Sequence, residues 1–133
     1  RFLYVSRKKA SRRRIVNENE VINCLANKNF EVICLEDYSL EEQIKFISMA
    51  RMVISVHGAA LSHLMFMHST SRVLEIRCAS DAIRNCYFSL ASVSSVDYYY
   101  YLAKEADEGG DGDLVVDLSA FEVCLDTFVK GGE

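Results

Sequence analysis

Residues 52–67, with the sequence MVISVHGAALSHLMFM, limit what this chain can fold into more than any other segment. The apolar run at residues 52–56 has the length and composition of a buried strand. A second apolar segment follows, with helical spacing between Leu61, Leu64 and Met65. This order predicts a strand, a tight turn and a helix.

The turn inside this segment, His57-Gly58-Ala59-Ala60, consists mainly of small residues. Small side chains let a ligand approach the backbone, and the first N–H groups of the following helix have no partner inside that helix. With the positive end of the helix dipole behind them, these groups suit a phosphate. The turn therefore predicts an anion site at His57, Gly58 and Ala59; the alternative is an ordinary connection that carries a surface histidine.

The same alternation continues along the whole chain. Further strands are predicted at residues 2–6, 30–35, 72–77 and 96–102. Helices are predicted at residues 18–28 behind Asn17 and Glu20, after the capping box of Ser39 and Glu42, at residues 83–91, and at residues 118–129. Strands that alternate with helices and are nearly continuous in apolar residues are typical of a parallel sheet covered on both faces. We therefore predict an α/β fold, with one Rossmann-like domain over residues 1–133 that binds ligands beyond the carboxyl ends of its strands.

The charge of the chain is unevenly distributed. Half of the residues are hydrophobic and 26% are charged, which is the composition of a soluble globular domain, and no apolar run is long enough for a membrane span. The net charge is −4, yet residues 1–14 hold seven basic residues and no acid. An anion is expected at this end, and the alternative is a solvated basic loop. The acidic remainder argues against a nucleic-acid partner.

The cysteines and the acidic loop bear on metal binding and on the cellular compartment. The five cysteines are odd in number and contain no C-x-x-C pair, which indicates neither zinc nor a disulfide framework and favours the cytoplasm. Asp111-Gly112-Asp113 has the D-x-D form that holds a metal in some sugar transferases. Because this triplet lies in a glycine-rich acidic loop at residues 105–113, we expect no metal site there.

Three candidate ligand contacts are expected at the carboxyl ends of the predicted strands: Arg7 after the first, His57 after the third, and Glu75 towards the end of the fourth. There is no G-x-G-x-x-G and no G-x-x-x-x-G-K-[ST], which argues against a classical dehydrogenase and a P-loop enzyme. Arg7, Arg13 and Arg14 offer charged planar forks to diphosphate oxygens, and His57 adds a donor. Glu75 can accept hydrogen bonds from a ribose diol, unless it is an outward-facing strand residue. Tyrosines 98–101 can stack on a base, although packing is the commoner role of such a strand.

Five motifs, in this order and spacing, resemble the family 61 glycosyltransferases. They are Ser6-Arg7, SRRRIVNE at residues 11–18, EEQ at residues 41–43, HGAALSH at residues 57–63 and VLEI at residues 73–76. The resemblance covers roughly residues 1–102 and extends to capsular-polysaccharide members and to O-linked N-acetylglucosamine and xylan-modifying relatives.

The resemblance implies a particular enzyme. Such proteins have a GT-B architecture of two Rossmann-like domains, and this chain resembles the second domain, without its N-terminal partner. The implied activity is inverting, metal-independent transfer from a nucleotide-diphosphate sugar, UDP-linked by preference, to a glycan or other hydroxyl acceptor, with no further cofactor. The implied donor-binding residues are Ser6, Arg7, Arg13, Arg14, Asn17, His57, Gly58, Ala59 and Glu75. The resemblance locates no catalytic base in this chain, so the isolated domain is expected to be inactive.

Two other functions stay open from the residues alone. One is a non-catalytic module that binds a nucleotide or another anion, and the other is a domain for protein contacts. Sugar transfer by the full-length protein would separate the enzyme from both.

Overall fold

The structure of the chain is a computed structural model, which describes residues 2–9, 14–56, 67, 71–78, 97–106 and 113–131. The elements in these ranges are β1 (Phe2–Val5), α1 (Glu18–Ala26), β2 (Glu31–Ile33), α2 (Leu40–Met49), β3 (Met52–Val56), β4 (Arg72–Cys78), β5 (Asp97–Glu105), β6 (Leu114–Val115) and α3 (Leu118–Lys130). A 3-10 turn, Leu35–Asp37, follows β2. In these same ranges, no helix has the length and apolar character needed to cross a bilayer.

The described strands form one six-stranded sheet in the order β2-β1-β3-β4-β5-β6. The first five strands are parallel, and β6 pairs with the end of β5 in the antiparallel direction. The chain places β2 on one side of β1 and β3 on the other. The strand order therefore reverses between β1 and β3, and the crevice at the carboxyl ends of such strands is where open α/β sheets bind ligands.

The sheet is curled, which brings its β6 edge back towards β1. Ile15 bridges to Leu114 of β6 in the parallel direction. Only three residues later, Glu18 is hydrogen-bonded to Tyr4 of β1. Because so short a segment connects the two, β6 and β1 approach each other on the face of the sheet that carries α1.

Apolar side chains cover both faces of the sheet. One core cluster joins inward-facing residues of β1, β3 and β4 to α1 and α3, including Val21, Leu25, Phe121, Leu125 and Phe128. The other cluster joins the alternate residues of the same strands to Ile47 of α2 and to Met67. This alternation is the period-two pattern of strands that are buried on both sides. The mixed α/β fold with a mostly parallel sheet is thus confirmed.

The predicted strands agree with the observed ones to within a few residues, and β3 agrees at both ends. The strand β6 was not predicted, because two residues are too short to give a periodic signal. The capping box of α2 is confirmed: Ser39 Oγ accepts from the Glu42 N–H, and the Glu42 carboxylate accepts from the Ser39 N–H. The helices predicted after His57 and at residues 83–91 lie outside the described residues.

The tyrosines of β5 divide between the two faces of the sheet. Tyr99 and Tyr101 pack edge-on against Phe128 and Phe121 of α3, with ring centroids 5.2 and 5.4 Å apart. Tyr98 and Tyr100 point to the opposite face, where Tyr100 is exposed. Packing is therefore the role of Tyr99 and Tyr101, as the commoner alternative for this strand predicts.

Gly131 ends α3 in a left-handed conformation, at φ 74°. A Cβ built there would lie 2.1 Å from Arg72 Nη1 at the start of β4. We expect Gly131→Ala to lower the free energy of unfolding by about 1–2 kcal/mol, from the left-handed φ and this clash. Chemical denaturation measures it. The loss should be smaller in an Arg72→Ala background, and an equal loss in both backgrounds would show that Arg72 is not part of the cause.

Candidate functional site

The carboxyl ends of β1 and β3 lie side by side at the point where the strand order reverses. Val5, the last residue of β1, pairs with Ser55 of β3. Ser6 and Arg7 follow β1 directly, and His57 follows β3 in the sequence but lies outside the described residues. The expected position of Arg7 after β1, at the carboxyl end of the sheet, agrees with the structure.

Ser6 is fully buried, and its hydroxyl and backbone N–H are hydrogen-bonded within the protein. Its hydroxyl donates to Glu18 at the start of α1, with Oγ 2.9 Å from Oε1 and 3.0 Å from Oε2. The same oxygen accepts from the Lys8 N–H at 3.1 Å, and the Ser6 N–H donates to the Ile33 carbonyl at 2.8 Å. Ser6 therefore fixes the first turn of the segment at residues 7–14, called the basic loop below, and its single O–H is already used within the protein.

The Glu18 carboxylate has a second hydrogen-bond donor, Tyr4. Its hydroxyl donates to Glu18 Oε2 at 2.7 Å. Burial raises the pKa of the Tyr4 phenol well above its usual range, and the neighbouring Glu18 charge raises it further. Tyr4 therefore stays protonated and remains a donor to Glu18 throughout the physiological pH range.

The structure describes residues 7–9 and residue 14 of the basic loop, and both parts contact other segments of the chain. Lys9 forms an exposed ion pair with Asp37, in the turn that follows β2. At the other end, Arg14 pairs with β6: its carbonyl accepts from the Leu114 N–H at 2.8 Å, and its N–H donates to Asp113 Oδ1 at 3.1 Å. The Arg14 side chain is 46% exposed, and its Nη2 lies 3.8 Å from Asp113 Oδ2. Its charge is therefore accessible from solvent, whereas Asp113 is buried.

Asn17 is at the N-cap of α1 but does not cap that helix with its side chain. Its amide instead makes two hydrogen bonds to the backbone of Val116: Nδ2 donates to the carbonyl at 2.8 Å, and Oδ1 accepts from the N–H at 3.0 Å. The helix start at Glu18 was predicted correctly, but the local cap was not formed. In the structure, Asn17 joins α1 to the segment between β6 and α3.

This attachment predicts a loss of stability when the amide is removed. We expect Asn17→Ala to lower the free energy of unfolding by about 1–3 kcal/mol, because both backbone groups of Val116 lose a partner. Chemical denaturation measures the loss. Asn19→Ala, an exposed position in the first turn of α1, is the matched control and should change it by less than about 0.5 kcal/mol. Equal effects of the two variants would contradict a specific role for Asn17.

Glu75 lies on the opposite face of the sheet from Ser6. It is 1% exposed, level in the sheet with Ser55 and, through Ser55, with Val5. The Tyr98 hydroxyl donates to Glu75 Oε1, and Arg77 Nε is 3.5 Å from the same oxygen. The alternative of an outward-facing, solvated position is therefore wrong. Because β4 continues for three residues to Cys78, Glu75 is inside the strand rather than at its end.

The predicted site residues thus form three groups among those that are described. Ser6 and Arg7 lie at the end of β1, Arg14 and Asn17 are joined to the β6 region, and Glu75 is buried on the α2 face. The remaining predicted contacts, Arg13, His57, Gly58 and Ala59, lie outside the described residues and stay predictions. Asp113 of the D-x-D triplet bonds to Arg14, and the described residues include no group of three side chains arranged to hold a metal.

Comparison with known proteins bears on the same motifs. The model of the family "Glycosyltransferase 61" matches residues 1–74, more than half of the chain. The chain belongs to the glycosyltransferase 61 family.

Relatives from animals support this membership. An EGF domain-specific O-linked N-acetylglucosamine transferase of Bos taurus is 31% identical over 91 residues, which is 65% of this chain and 17% of that protein. The protein of the same name from Gallus gallus is 30% identical over the same length. In Drosophila melanogaster the identity is 31% over 101 residues, which is 74% of this chain and 19% of the relative. The chain therefore spans less than a fifth of the relatives it matches.

Several contacts in this family 61 chain were not predicted from the sequence. Glu18 and Tyr4 hold Ser6, and Arg77 and Tyr98 hold Glu75. The contact of Arg77 with Glu75 had a local signal, since residues two apart in a strand point to the same face. The contacts of Tyr98 and Tyr4 had no local signal, because their partners are distant in the sequence.

Proposed function

We propose that this chain is the donor-binding part of a glycosyltransferase that transfers a sugar from a nucleotide diphosphate with inversion and without a metal. Family membership supports glycosyl transfer. The observation that carries the proposed binding site is the reversal of strand order between β1 and β3, with Ser6 and Arg7 directly at that edge. The diphosphate would lie there, against the basic loop and the predicted turn at His57.

The proposed contribution of this domain is to stabilise the leaving group. As the acceptor hydroxyl attacks the anomeric carbon and the bond to the diphosphate breaks, negative charge grows on the phosphate oxygens. Arg7, Arg13 and Arg14 with His57 would bind that charge, and groups that are already oriented favour the transition state over the bound donor. The Gly58 and Ala59 N–H groups would complete the site, and the base would come from outside this chain.

Glu75 is proposed as the partner of the ribose diol. Its carboxylate is level with the end of β1 but shielded, so the Tyr98 hydroxyl would have to leave Oε1 before a ribose could bind there. Asn17 and Ser6, whose side chains are used within the protein, would act by holding the basic loop and α1 rather than by direct contact.

The proposed architecture is that of the second, nucleotide-sugar-binding half of a GT-B enzyme with an N-terminal partner domain. A parallel sheet with helices on both faces supports this assignment. The matched relatives are named for transfer of N-acetylglucosamine to EGF domains. A UDP-linked sugar as donor, and a hydroxyl of a protein or glycan as acceptor, are therefore the first substrates to test.

Calorimetric titration of the intact protein tests donor binding. UDP and UDP-N-acetylglucosamine should bind in the presence of a chelator, with an affinity within about twofold of that with divalent metal added. UMP should bind at least about tenfold more weakly, because it lacks the second phosphate and its charge-assisted hydrogen bonds.

Two results would contradict the proposal. Loss of binding in the chelator would overturn metal independence. Failure of every nucleotide diphosphate to bind would favour a module for protein contacts. The anomeric configuration of the transferred sugar, read by NMR, decides between inversion and retention.

A further inference from the structure

We propose that Glu18 is a positioning residue for the phosphate-binding loop and acts through Ser6. This inference rests on the proposed function, since it concerns how the loop after β1 is held for a nucleotide diphosphate. Glu18 is half-buried at the first position of α1, outside the set of residues predicted to touch the donor.

The contacts form one continuous path from the helix to the loop. Tyr4 and Ser6, which lie on the same face of the β1 segment, both donate to the Glu18 carboxylate. Ser6 Oγ in turn accepts from the Lys8 N–H, a side-chain turn that spans two residues. The backbone of Arg7 is thus held on both sides, by the Ser6 N–H bond to Ile33 and by the Lys8 N–H bond to Ser6.

The chemistry of Ser6 makes this path depend on Glu18. A hydroxyl has one proton, and here that proton is directed to the carboxylate. The lone pairs of Ser6 Oγ are therefore left for the Lys8 N–H. Without the carboxylate, the hydroxyl is free to rotate towards another acceptor, and the bond that orients Lys8 is weakened.

The position of Glu18 also suits a carboxylate in two ways. It is in the first turn of α1, where the helix dipole favours a negative charge. Its partner Tyr4 is fully buried and protonated, so it acts as a fixed donor. Glu18 is therefore itself held rigidly, which is what a residue that orients another must be.

Substitutions at Glu18 in the intact protein test this role. Glu18→Ala should weaken UDP binding about tenfold, which corresponds to the loss of one charge-assisted hydrogen bond. Glu18→Gln keeps the shape and an acceptor oxygen and should bind within about threefold of the wild type. Glu20→Ala, which removes an exposed glutamate two positions later in the same turn, is the control and should bind like the wild type.

A double-mutant cycle with Ser6→Ala separates positioning from general destabilisation. If Glu18 acts through Ser6, the double variant should bind UDP about as weakly as either single variant. Hydrogen exchange of peptides that contain the Lys8 amide gives a readout that needs no ligand. Exchange there should be faster in Glu18→Ala and unchanged in Glu20→Ala.

The outcomes are distinguishable. Unchanged exchange at Lys8 in Glu18→Ala, or additive losses of affinity in the cycle, would overturn the positioning role while leaving the proposed function standing. If the wild-type protein binds no nucleotide diphosphate, the proposed function fails, and the role of Glu18 at a phosphate site fails with it. Faster exchange together with weaker, non-additive binding supports both.

Discussion

Replacing Glu75 with alanine is expected to lower the free energy of unfolding by about 3–5 kcal/mol, the cost of removing one partner from a buried ion pair. The side chains of Arg77 and Glu75 are 6% and 1% exposed, and Arg77 Nε lies 3.5 Å from Oε1. The substitution removes the carboxylate that faces this buried guanidinium. It also removes the acceptor of the Tyr98 hydroxyl.

Chemical denaturation of the intact protein measures this loss. Glu75→Gln should be less damaging than Glu75→Ala, because an amide oxygen can still accept from Tyr98. Glu105→Ala, which removes an exposed carboxylate at the end of β5, should change stability by less than about 0.5 kcal/mol. A Glu75→Ala variant as stable as the wild type would show that Arg77 does not depend on this carboxylate.

The second large effect is expected on turnover. His57→Ala and Arg13→Ala should each reduce kcat for sugar transfer by about 10²–10³, the usual cost of deleting one preorganised donor to a developing negative charge. Donor affinity should fall less, because the phosphate charge is larger in the transition state than in the bound donor. Steady-state kinetics of the intact enzyme, with folding checked by circular dichroism, gives both quantities.

Two further variants make this experiment specific. Gly58→Val should be worse than His57→Ala, because a β-branched side chain at the turn obstructs the approach of a phosphate to the backbone. His68→Ala removes a histidine that follows the segment in the sequence and should keep wild-type turnover. Full turnover of His57→Ala, with Gly58→Val merely unfolded, would identify the segment as a packing turn without an anion site.

The sequence was sufficient to predict the main elements of the fold because their signals are local. The apolar run of β3 and the capping box before α2 each lie within a few consecutive residues. The pairing of β6 with β5 and the bridge from Ile15 to Leu114 could not be predicted, since they depend on how the sheet curls.

The residues of the candidate site also divide into those with a local sequence signal and those without one. Arg7 could be placed at the carboxyl end of the sheet because it directly follows a predicted strand, whereas Ser6 was expected to be the last residue of that strand. The contacts of Asn17 with Val116 join residues 99 positions apart, so no local pattern contains them. Glu75 stood out as the single charge within VLEI at residues 73–76, but its partner Tyr98 is 23 residues away. Whether a polar residue is available to a ligand or is held by other residues of the protein therefore depends on partners that are distant in the sequence.

Hydrogen exchange of the intact protein, with and without UDP and in the presence of a chelator, locates the proposed donor site most directly. We expect UDP to protect peptides that contain Ser6 and Arg7 and peptides that contain His57, Gly58 and Ala59, while α3 exchanges as before. Protection at α3 or at the β2 edge, with none after β1 and β3, would contradict a nucleotide-diphosphate site at the point where the strand order reverses.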